Sequence, residues 1–264
     1  MHKNYIGLWT LLGISLLAVT IYSFCDPVNI SGVEIKPSGI AEMLTRNAAA
    51  EIQSPTEIPL AETDAAPKQK FPAQLDTTSQ NILIFGDSML EGLNPRLAAY
   101  AKHNGHKLNS VIWYSSTSEQ WGSCDTLQVF LRRFKPTFIF ISLGGNELFV
   151  KDIASKRDKW VKRLLKQIGD IPYVWIGPPN WKPDTGINDL IQSNVPQGRF
   201  FLSNGMHFDR TKDGAHPTHA SAALWLDSVA RWMPANAEHP IKMELPPAGL
   251  KSRPSSVVVL QPKI

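Results

Sequence analysis

The sequence predicts an α/β domain, a three-layer sandwich with a mostly parallel sheet covered by helices on both faces. Short apolar runs alternate with longer segments of helical periodicity. The short runs are apolar throughout, as in strands that are buried on both faces. Polar loops that contain glycine follow them at 86–88, 144–147 and 177–186. This order is typical of a doubly covered parallel sheet, whose ligands bind beyond the carboxyl ends of its strands.

Five strands and four helices are expected in this domain. The strands are predicted at 81–85, 110–114, 137–143, 173–176 and 200–202. The helices are predicted at 94–104, 126–134, 152–168 and 218–232. Pro95 is placed in the first turn of the first helix, where a missing N–H is tolerated, and Gly105 ends that helix.

The chain divides into four predicted segments. Residues 1–25 include an uncharged apolar stretch of about 20 residues, the length that spans a membrane as a helix. The bulky Phe24 does not suit a cleavage site, so an uncleaved signal anchor is favoured over a removed signal peptide. Residues 26–78 are predicted to be a flexible, proline-rich tether and 79–234 the folded domain. Residues 235–264 are expected to form a loosely packed, proline-rich tail.

The charged residues indicate where the folded domain is located and argue against nucleic acid as a partner. Lys3 precedes the apolar stretch and Asp26 and Glu34 follow it, which favours a domain outside the cytoplasm, in the periplasm or beyond the cell. The net charge is only +4 and no block of Lys and Arg is present, so a nucleic-acid partner is not expected. Two cysteines, Cys25 and Cys124, exclude a disulfide framework and are expected to be unpaired.

Two short motifs contain the residue types of nucleophilic catalysis. Ser88 follows a buried strand in Gly86-Asp87-Ser88, an exposed position from which its N–H can face an oxyanion. Asp213 precedes His216 by three residues, so the carboxylate can accept from Nδ1 and leave Nε2 free to take a proton from a serine. Taken alone, each motif also suits an ordinary turn with helix-capping residues.

A third motif, Gly144-Gly145-Asn146-Glu147, follows another buried strand. A side-chain amide fixed in a glycine-lined loop is suited to donate to the oxyanion of an acyl-transfer intermediate. A plain Gly-Gly-Asn turn is the alternative for this motif alone. The three motifs follow one another at strand ends and before the last predicted helix, which makes the set more specific than any one of them.

Together these motifs resemble the SGNH/GDSL hydrolase superfamily over about residues 80–233. Gly86-Asp87-Ser88-Met89 is similar to its G-D-S-L block, Gly144 to Glu147 to its G-x-N-D block, and Asp213 to Pro217 to its D-x-x-H-P block. The resemblance implies an SGNH/flavodoxin-like fold and a cofactor-free serine esterase or O-acetyltransferase. It implies Ser88 as nucleophile, His216 as base and then acid, and Asp213 as the residue that orients His216. The Ser88 N–H, Gly144 and Asn146 would bind the oxyanion.

The sequence departs from this pattern at three places. Met89 replaces Leu, a change of similar volume, and Glu147 replaces Asp, which puts its local hydrogen bonds in doubt. The family also supplies a glycine N–H after the second strand, but 115–121 contains no glycine. Gly122 is the nearest candidate for this third oxyanion donor, with Ser116 or Ser118 as substitutes.

The expected substrate is a small ester or an acylated glycan. Asn180 and Trp181, in the loop after the fourth strand, are candidate substrate-binding residues, and Trp181 could stack on a sugar or pack within its loop. An anchored domain outside the cytoplasm resembles proteins that add or remove acetyl groups on envelope glycans, sometimes beside a multi-span membrane protein that carries the acyl group. No metal is expected.

Two other functions stay open from the residues. A cluster of histidines and aspartates offers ligand types for a metal-dependent hydrolase, namely His207, Asp209, Asp213, His216 and His219. However, His216 and His219 straddle Pro217 and a helix start, a poor spacing for two ligands. The second possibility is a non-catalytic glycan-binding or scaffold protein, because a fold alone does not establish activity.

Overall fold

The structure, a computed structural model of the 264-residue chain, describes residues 7, 10–15, 28–30, 33–35 and 74–262. The chain divides into two compact units, 1–66 and 67–264. In the first unit, residues 10–15 are helical and exposed. β1 (Val28–Ile30) and β2 (Val33–Ile35) form an antiparallel pair in the same unit.

The predicted anchor (1–25) and tether (26–78) lie mostly outside the described residues, as does Cys25, and these expectations stay predictions. Within the described ranges, no helix combines the length and the apolar character needed to cross a membrane.

The second unit contains a parallel sheet whose six strands confirm the predicted fold class. They are β3 (Asn81–Gly86), β4 (Lys107–Trp113), β5 (Phe138–Ser142), β6 (Tyr173–Ile176), β7 (Phe200–Phe201) and β8 (Ser256–Leu260). Their order is β7-β6-β5-β3-β4-β8, and every neighbouring pair is parallel. The first five strands follow the flavodoxin-like order, which reverses between β3 and β5. Ligands are therefore expected beyond the carboxyl ends of β3, β4 and β5.

Six helices cover the sheet in the described part of this unit. They are α1 (Leu90–Asn104), α2 (Ser118–Ser123), α3 (Thr126–Phe134), α4 (Ile153–Ile168), α5 (Ile187–Asn194) and α6 (His219–Asn236). The side chains of β3 alternate between two apolar clusters, one that includes α1 and α6 and another that includes α2 to α5. Ile82 and Ile84 belong to the first cluster and Leu83 and Phe85 to the second. This burial on both faces explains the continuous apolar strands.

α1 begins four residues earlier than predicted, so Pro95 lies inside the helix rather than in its first turn. Leu90, Leu93 and Leu97 are fully buried at helical spacing. Their burial favours a helix that starts two residues after Ser88, at Leu90. We infer that this burial outweighs the loss of the hydrogen bond that Pro95 cannot donate. Ser88 therefore lies at the entrance of a helix.

The prediction of a loosely packed tail over 235–264 is wrong in two places. α6 continues to Asn236, and Ser256–Leu260 forms β8, which pairs in parallel with β4 at the edge of the sheet. Val258 and Leu260 pack against the second apolar cluster, whereas Val257 and Val259 are about half exposed. This alternation of buried and exposed side chains is the pattern of an edge strand covered on one face.

Candidate active site

Ser88 is placed by a close approach between two strands. A β-carbon on Gly86 would lie 1.9 Å from the carbonyl oxygen of Ser142 on β5, so only glycine fits there. Directly after it, the N–H of Asp87 donates to that same oxygen at 3.2 Å. The chain then turns into α1, which begins at Leu90. Ser88 consequently lies at the carboxyl end of the central strand.

The structure brings together Ser88, Asp213 and His216, which lie up to 128 positions apart in sequence. His216 Nε2 is 2.8 Å from Ser88 Oγ, and His216 Nδ1 is 2.7 Å from Asp213 Oδ2. A carboxylate only accepts hydrogen bonds, so Nδ1 carries the proton in this pair and Nε2 accepts from the Ser88 hydroxyl. This arrangement lets the imidazole take the hydroxyl proton when Ser88 attacks an electrophile.

Asp213 is held in the ionised state by four donors. Its Oδ1 accepts from the N–H of His216 at 3.0 Å, the N–H of Ala215 at 2.8 Å and the hydroxyl of Thr211 at 2.8 Å. The hydrogen bonds from these two N–H groups, followed by those from the His216 ring and Thr211, lower the pKa of Asp213 well below its usual value. The carboxylate is therefore charged at neutral pH, when it can stabilise an imidazolium at His216.

A cavity of about 350 Å³ opens over this group. Eleven residues line it, including the triad, the first turn of α1 and the turn after β4, namely Ser88, Met89, Glu91, Gly92, Tyr114, Ser115, Thr211, Asp213, His216, Pro217 and His219. The Tyr114 hydroxyl donates to Glu91, which ties the turn after β4 to α1. The volume is within the range of small-molecule sites, about 300–1,000 Å³.

Asn146 lies in the turn after β5, beside β3. Its Nδ2 donates to the carbonyl oxygen of Ser116 at 3.0 Å and lies 3.5 Å from Asp87 Oδ2. Both protons of the amide nitrogen are thus directed at protein acceptors, and the one in the longer hydrogen bond, to Asp87, is the one that a substrate oxygen can compete for. Gly144 allows this turn, because its φ of +124° disfavours any side chain and a β-carbon would meet Pro178 and Ile187 at 3.0–3.1 Å.

Two buried carboxyl groups lie behind Asn146. Glu147 accepts from the N–H and the hydroxyl of Ser118, at 3.0 and 2.6 Å, and its Oε1 is 3.2 Å from Arg157 Nε. Through these contacts the glutamate joins its own turn to α2. Burial raises the pKa of the Glu147 carboxyl group above its usual value. Asp87 Oδ1 accepts from the N–H of Met89 at 3.0 Å, and burial, with a smaller contribution from Glu147, raises the pKa of Asp87 to about 7.

The structure corrects the prediction for Gly122. This residue lies inside α2, where a β-carbon would be 2.3 Å from the carbonyl oxygen of Trp160, so the glycine permits close packing of α2 on α4. Ser116 and Ser118, the other two candidates for the third oxyanion donor, already donate within the protein. The Ser118 hydroxyl donates to Glu147, and the N–H of Ser116 donates to the Trp113 carbonyl. None of the three lines the cavity over Ser88.

Ser115 lies next to the catalytic serine, whereas Gly122, Ser116 and Ser118 do not. It lines the cavity with Ser88 and has a φ of +57°, a left-handed conformation that a non-glycine residue adopts infrequently. Among the described residues, nothing accepts a hydrogen bond from the N–H of Ser115 or from that of Ser88. No sequence signal indicated Ser115, because serine is not a typical residue for this conformation.

Arg210 was also missed, and it joins two loops of the site. Its guanidinium donates to Pro179 O at 3.0 Å, Asn180 O at 2.8 Å and Ala215 O at 2.5 Å. It thereby fixes the loop after β6 to the loop that contains Asp213 and His216. Three backbone acceptors for one half-buried cation indicate a structural role.

The predicted substrate-binding residues Asn180 and Trp181 do not line the cavity over Ser88. The Trp181 indole donates to Gly145 O at 3.1 Å and packs edge-on against Phe149, with ring centroids 5.3 Å apart. The Asn180 side-chain oxygen is buried without a hydrogen-bond partner. Trp181 thus contacts the loop of Asn146, and the role of both residues in substrate binding stays a prediction.

The alternative of a metal centre is not favoured by the positions of its proposed ligands. His216 is engaged by Asp213 and Ser88, while His207 lies at the surface with Asp209 as its near neighbour at 3.8 Å. In the part of the chain that the structure describes, no three His, Cys, Asp or Glu side chains are grouped to hold a metal ion.

Comparison with known proteins finds similarity to solved structures alone. No family model matches the sequence, and no curated protein matches it. Among solved structures, the chain is similar to the psychrotrophic esterase EstA from Pseudoalteromonas sp., in a structure inhibited by monoethylphosphonate. The identity is 19%, the match covers 57% of this chain and 97% of that chain, and the TM-score is 0.40. The chemistry of this chain is therefore inferred from its own residues.

Proposed function

We propose that the chain is a serine esterase or O-acyltransferase of the SGNH type that acts on the acyl groups of a glycan outside the cytoplasm. The observation that carries the proposal is the hydrogen-bonded series from Asp213 through His216 to Ser88, at 2.7 and 2.8 Å, at the floor of a cavity. This geometry supplies a nucleophile, a base and a group that orients the base.

In the first half of the reaction, Ser88 Oγ attacks the ester carbonyl carbon and His216 Nε2 takes the hydroxyl proton. The carbonyl π electrons move to oxygen, which becomes the oxyanion. When the intermediate collapses, the bond between the carbonyl carbon and the alcohol oxygen breaks. His216 returns the proton to that oxygen, so the products are the free alcohol and an acyl ester of Ser88.

In the second half, an incoming hydroxyl attacks the acyl ester and gives its proton to His216. The bond to Ser88 Oγ breaks and Ser88 recovers the proton from His216. Water as acceptor yields a carboxylic acid, whereas a sugar hydroxyl yields an acylated glycan. The cavity is open to solvent at His216 and Asp213, whose side chains are 35% and 50% exposed, so either acceptor can reach the acyl ester.

We propose that three groups stabilise the oxyanion, namely the N–H of Ser88, the N–H of Ser115 and the Asn146 amide, whose longer hydrogen bond to Asp87 would be exchanged for one to the oxyanion. Both backbone groups lack an acceptor within the described residues, and both residues line the cavity, whereas Asn146 is not one of its lining residues. Gly144 contributes by permitting the turn that places Asn146. Removal of one oxyanion donor typically costs about 10²–10³ in rate.

The test of this function is hydrolysis of p-nitrophenyl acetate by the full-length protein. Ser88→Ala and His216→Ala should each lower kcat by about 10³ or more, because each removes a group that takes part in bond making or proton transfer. Ser155→Ala, an exposed serine on α4, is the control and should retain the parental rate. Turnover that survives in both site variants, with unchanged melting temperatures, would refute the proposal.

The proposed location is a cell membrane, with a single anchor at 1–25 and the domain outside the cytoplasm. The uncharged apolar stretch and the flanking charges support it. A multi-span membrane protein is proposed as the source of acyl groups where the acceptor is a sugar. Alkaline phosphatase joined after residue 78 should be active in bacterial cells, since that enzyme needs an oxidising compartment; an inactive fusion would contradict this orientation.

A further inference from the structure

A second, larger cavity adjoins the one over Ser88. Its volume is about 630 Å³, and it lies between α1, α6 and the segment that precedes β8. Small and apolar side chains line much of it, namely Gly92, Pro95, Ala99, Ala223 and Leu250. The rest of the lining is Arg96, His219, Lys251, Ser252 and Arg253. We call this cavity the basic groove.

The basic groove is continuous with the catalytic cavity. Gly92, in the first turn of α1, and His219, the first residue of α6, line both. A β-carbon on Gly92 would lie 2.7 Å from Ala222 Cβ, so a glycine is required where α1 approaches α6 at this junction. A chain bound in the groove can therefore present its next unit to Ser88.

The groove contains positive charge that the described protein does not neutralise. Lys251 and Arg253 are exposed, and neither has a carboxylate within ion-pair distance among the described residues. Arg96 differs, because its guanidinium binds Asp227 through two hydrogen bonds of 2.7 and 3.0 Å. No acidic side chain of the described residues belongs to the lining. Concave sites with unpaired cations attract and hold anions.

We propose that the basic groove binds carboxylate-bearing sugar units of an acidic glycan whose acyl group is presented to Ser88. The proposal rests on the function proposed above and adds its substrate class. Lys251 and Arg253 would pair with sugar carboxylates, while the small apolar side chains accommodate the C–H surfaces of the rings. A neutral acyl chain would leave both cations unused. Nucleic acid is disfavoured, because the lining contains no Phe, Tyr or Trp side chain on which successive bases could stack.

The test measures binding of a tetramer of galacturonic acid to the full-length protein by calorimetry, without any need for turnover. The ligand control is the same tetramer with its carboxyl groups reduced to alcohols. Lys251→Gln/Arg253→Gln should weaken binding of the acidic tetramer about 2- to 30-fold, the loss expected for two exposed ion pairs. Higher salt should also weaken it.

Two further variants show whether binding depends on the charges of the groove, on its shape, or only on net charge and folding. Lys156→Gln/Lys166→Gln removes the same charge from exposed positions on α4, which belongs to the other apolar cluster, and should bind within twofold of the parent. Ala223→Leu fills the groove without changing charge and should reduce binding at least about tenfold. Melting temperatures show whether each variant is folded.

The proposal is overturned if the neutral tetramer binds as well as the acidic one, or if the parent binds neither. It is also overturned if Lys251→Gln/Arg253→Gln binds within twofold of the parent. Binding to vesicles of phosphatidylglycerol but not to the acidic tetramer would indicate a lipid ligand and contradict it as well. A failure of the proposed function is distinguishable, because it would appear as absent hydrolysis of p-nitrophenyl acetate by the parent protein.

Discussion

His216 approaches Ser88 from a loop that is fixed at both ends, with its Nε2 2.8 Å from Ser88 Oγ. The N–H of Thr211 donates to the His216 carbonyl at 2.8 Å, and Arg210 holds the carbonyl of Ala215. Asp213 binds the ring of His216 and its backbone N–H with different oxygens. The imidazole is therefore positioned before a substrate binds, which is the condition for efficient proton transfer.

The role of Asp213 is tested by Asp213→Asn. The amide preserves shape but can donate to Nδ1, which favours the tautomer whose Nε2 carries a proton and cannot accept from Ser88. We expect kcat for p-nitrophenyl acetate to fall by about 10³–10⁴. Asp209→Asn, at an exposed aspartate outside the cavity lining, is the control. A loss below tenfold in a folded Asp213→Asn protein would show that Asp213 does not orient His216.

Asn146→Ala tests the oxyanion assignment. The variant removes one donor that acts on the transition state, so kcat should fall by about 10²–10³ while KM changes little. Asn236→Ala, an exposed asparagine at the end of α6, should leave both constants unchanged. An effect on KM alone would assign Asn146 to substrate binding instead.

Gly122→Ala separates packing from catalysis. In an ordinary helix this change is stabilising, but here the β-carbon would meet the Trp160 carbonyl oxygen at 2.3 Å. We expect the free energy of unfolding to fall by about 1–3 kcal/mol, as measured with urea. Ser123→Ala, exposed in the same helix, should not destabilise the protein. If Gly122→Ala leaves the free energy of unfolding unchanged, the glycine is not required for the packing of α2 on α4.

The raised pKa of Asp87 leads us to expect that the stability of the protein depends on pH. Its pKa of about 7 in the folded protein lies above the usual value, so the folded state binds more protons than the unfolded state between about pH 4 and pH 7. The free energy of unfolding should therefore decrease as pH rises through this window, by up to about 4 kcal/mol from this group. Asp87→Asn should remove that decrease.

Urea unfolding at pH 4.5 and pH 7.5 measures the effect of Asp87→Asn. Asp189→Asn, at an exposed position in α5, is the matched control and should keep the parental dependence. The account of Asp87 is contradicted if Asp87→Asn loses stability between the two pH values as strongly as the parent.

The sequence predicted the first five strands of the sheet because each is buried on both faces and therefore apolar throughout. β8 was missed because only one of its faces is covered, so Val257 and Val259 alternate with Val258 and Leu260 within a proline-rich segment. The predicted start of α1 was four residues too late, because Pro95 is a typical first-turn residue and was placed there. Only the tertiary burial of Leu90 and Leu93 shows that the helix begins earlier.

The sequence motifs also predicted that Ser88, Asp213 and His216 form one catalytic group. The distances between them come from the structure. It did not identify Ser115, since the left-handed conformation there depends on the turn that joins β4 to α2 rather than on residue type. Arg210 and the basic groove were likewise not predictable, because their partners come from segments distant in sequence.

The most direct test of the central claim is covalent labelling by a phosphonate ester with a p-nitrophenyl leaving group. The full-length protein should release one nitrophenolate and gain one phosphonyl group, located on Ser88 by mass spectrometry of its peptides. His216→Ala should be labelled at least about 10²-fold more slowly, because it cannot take the Ser88 proton. Labelling at another residue, or equal labelling rates in the parent and His216→Ala, would contradict a serine mechanism at this site.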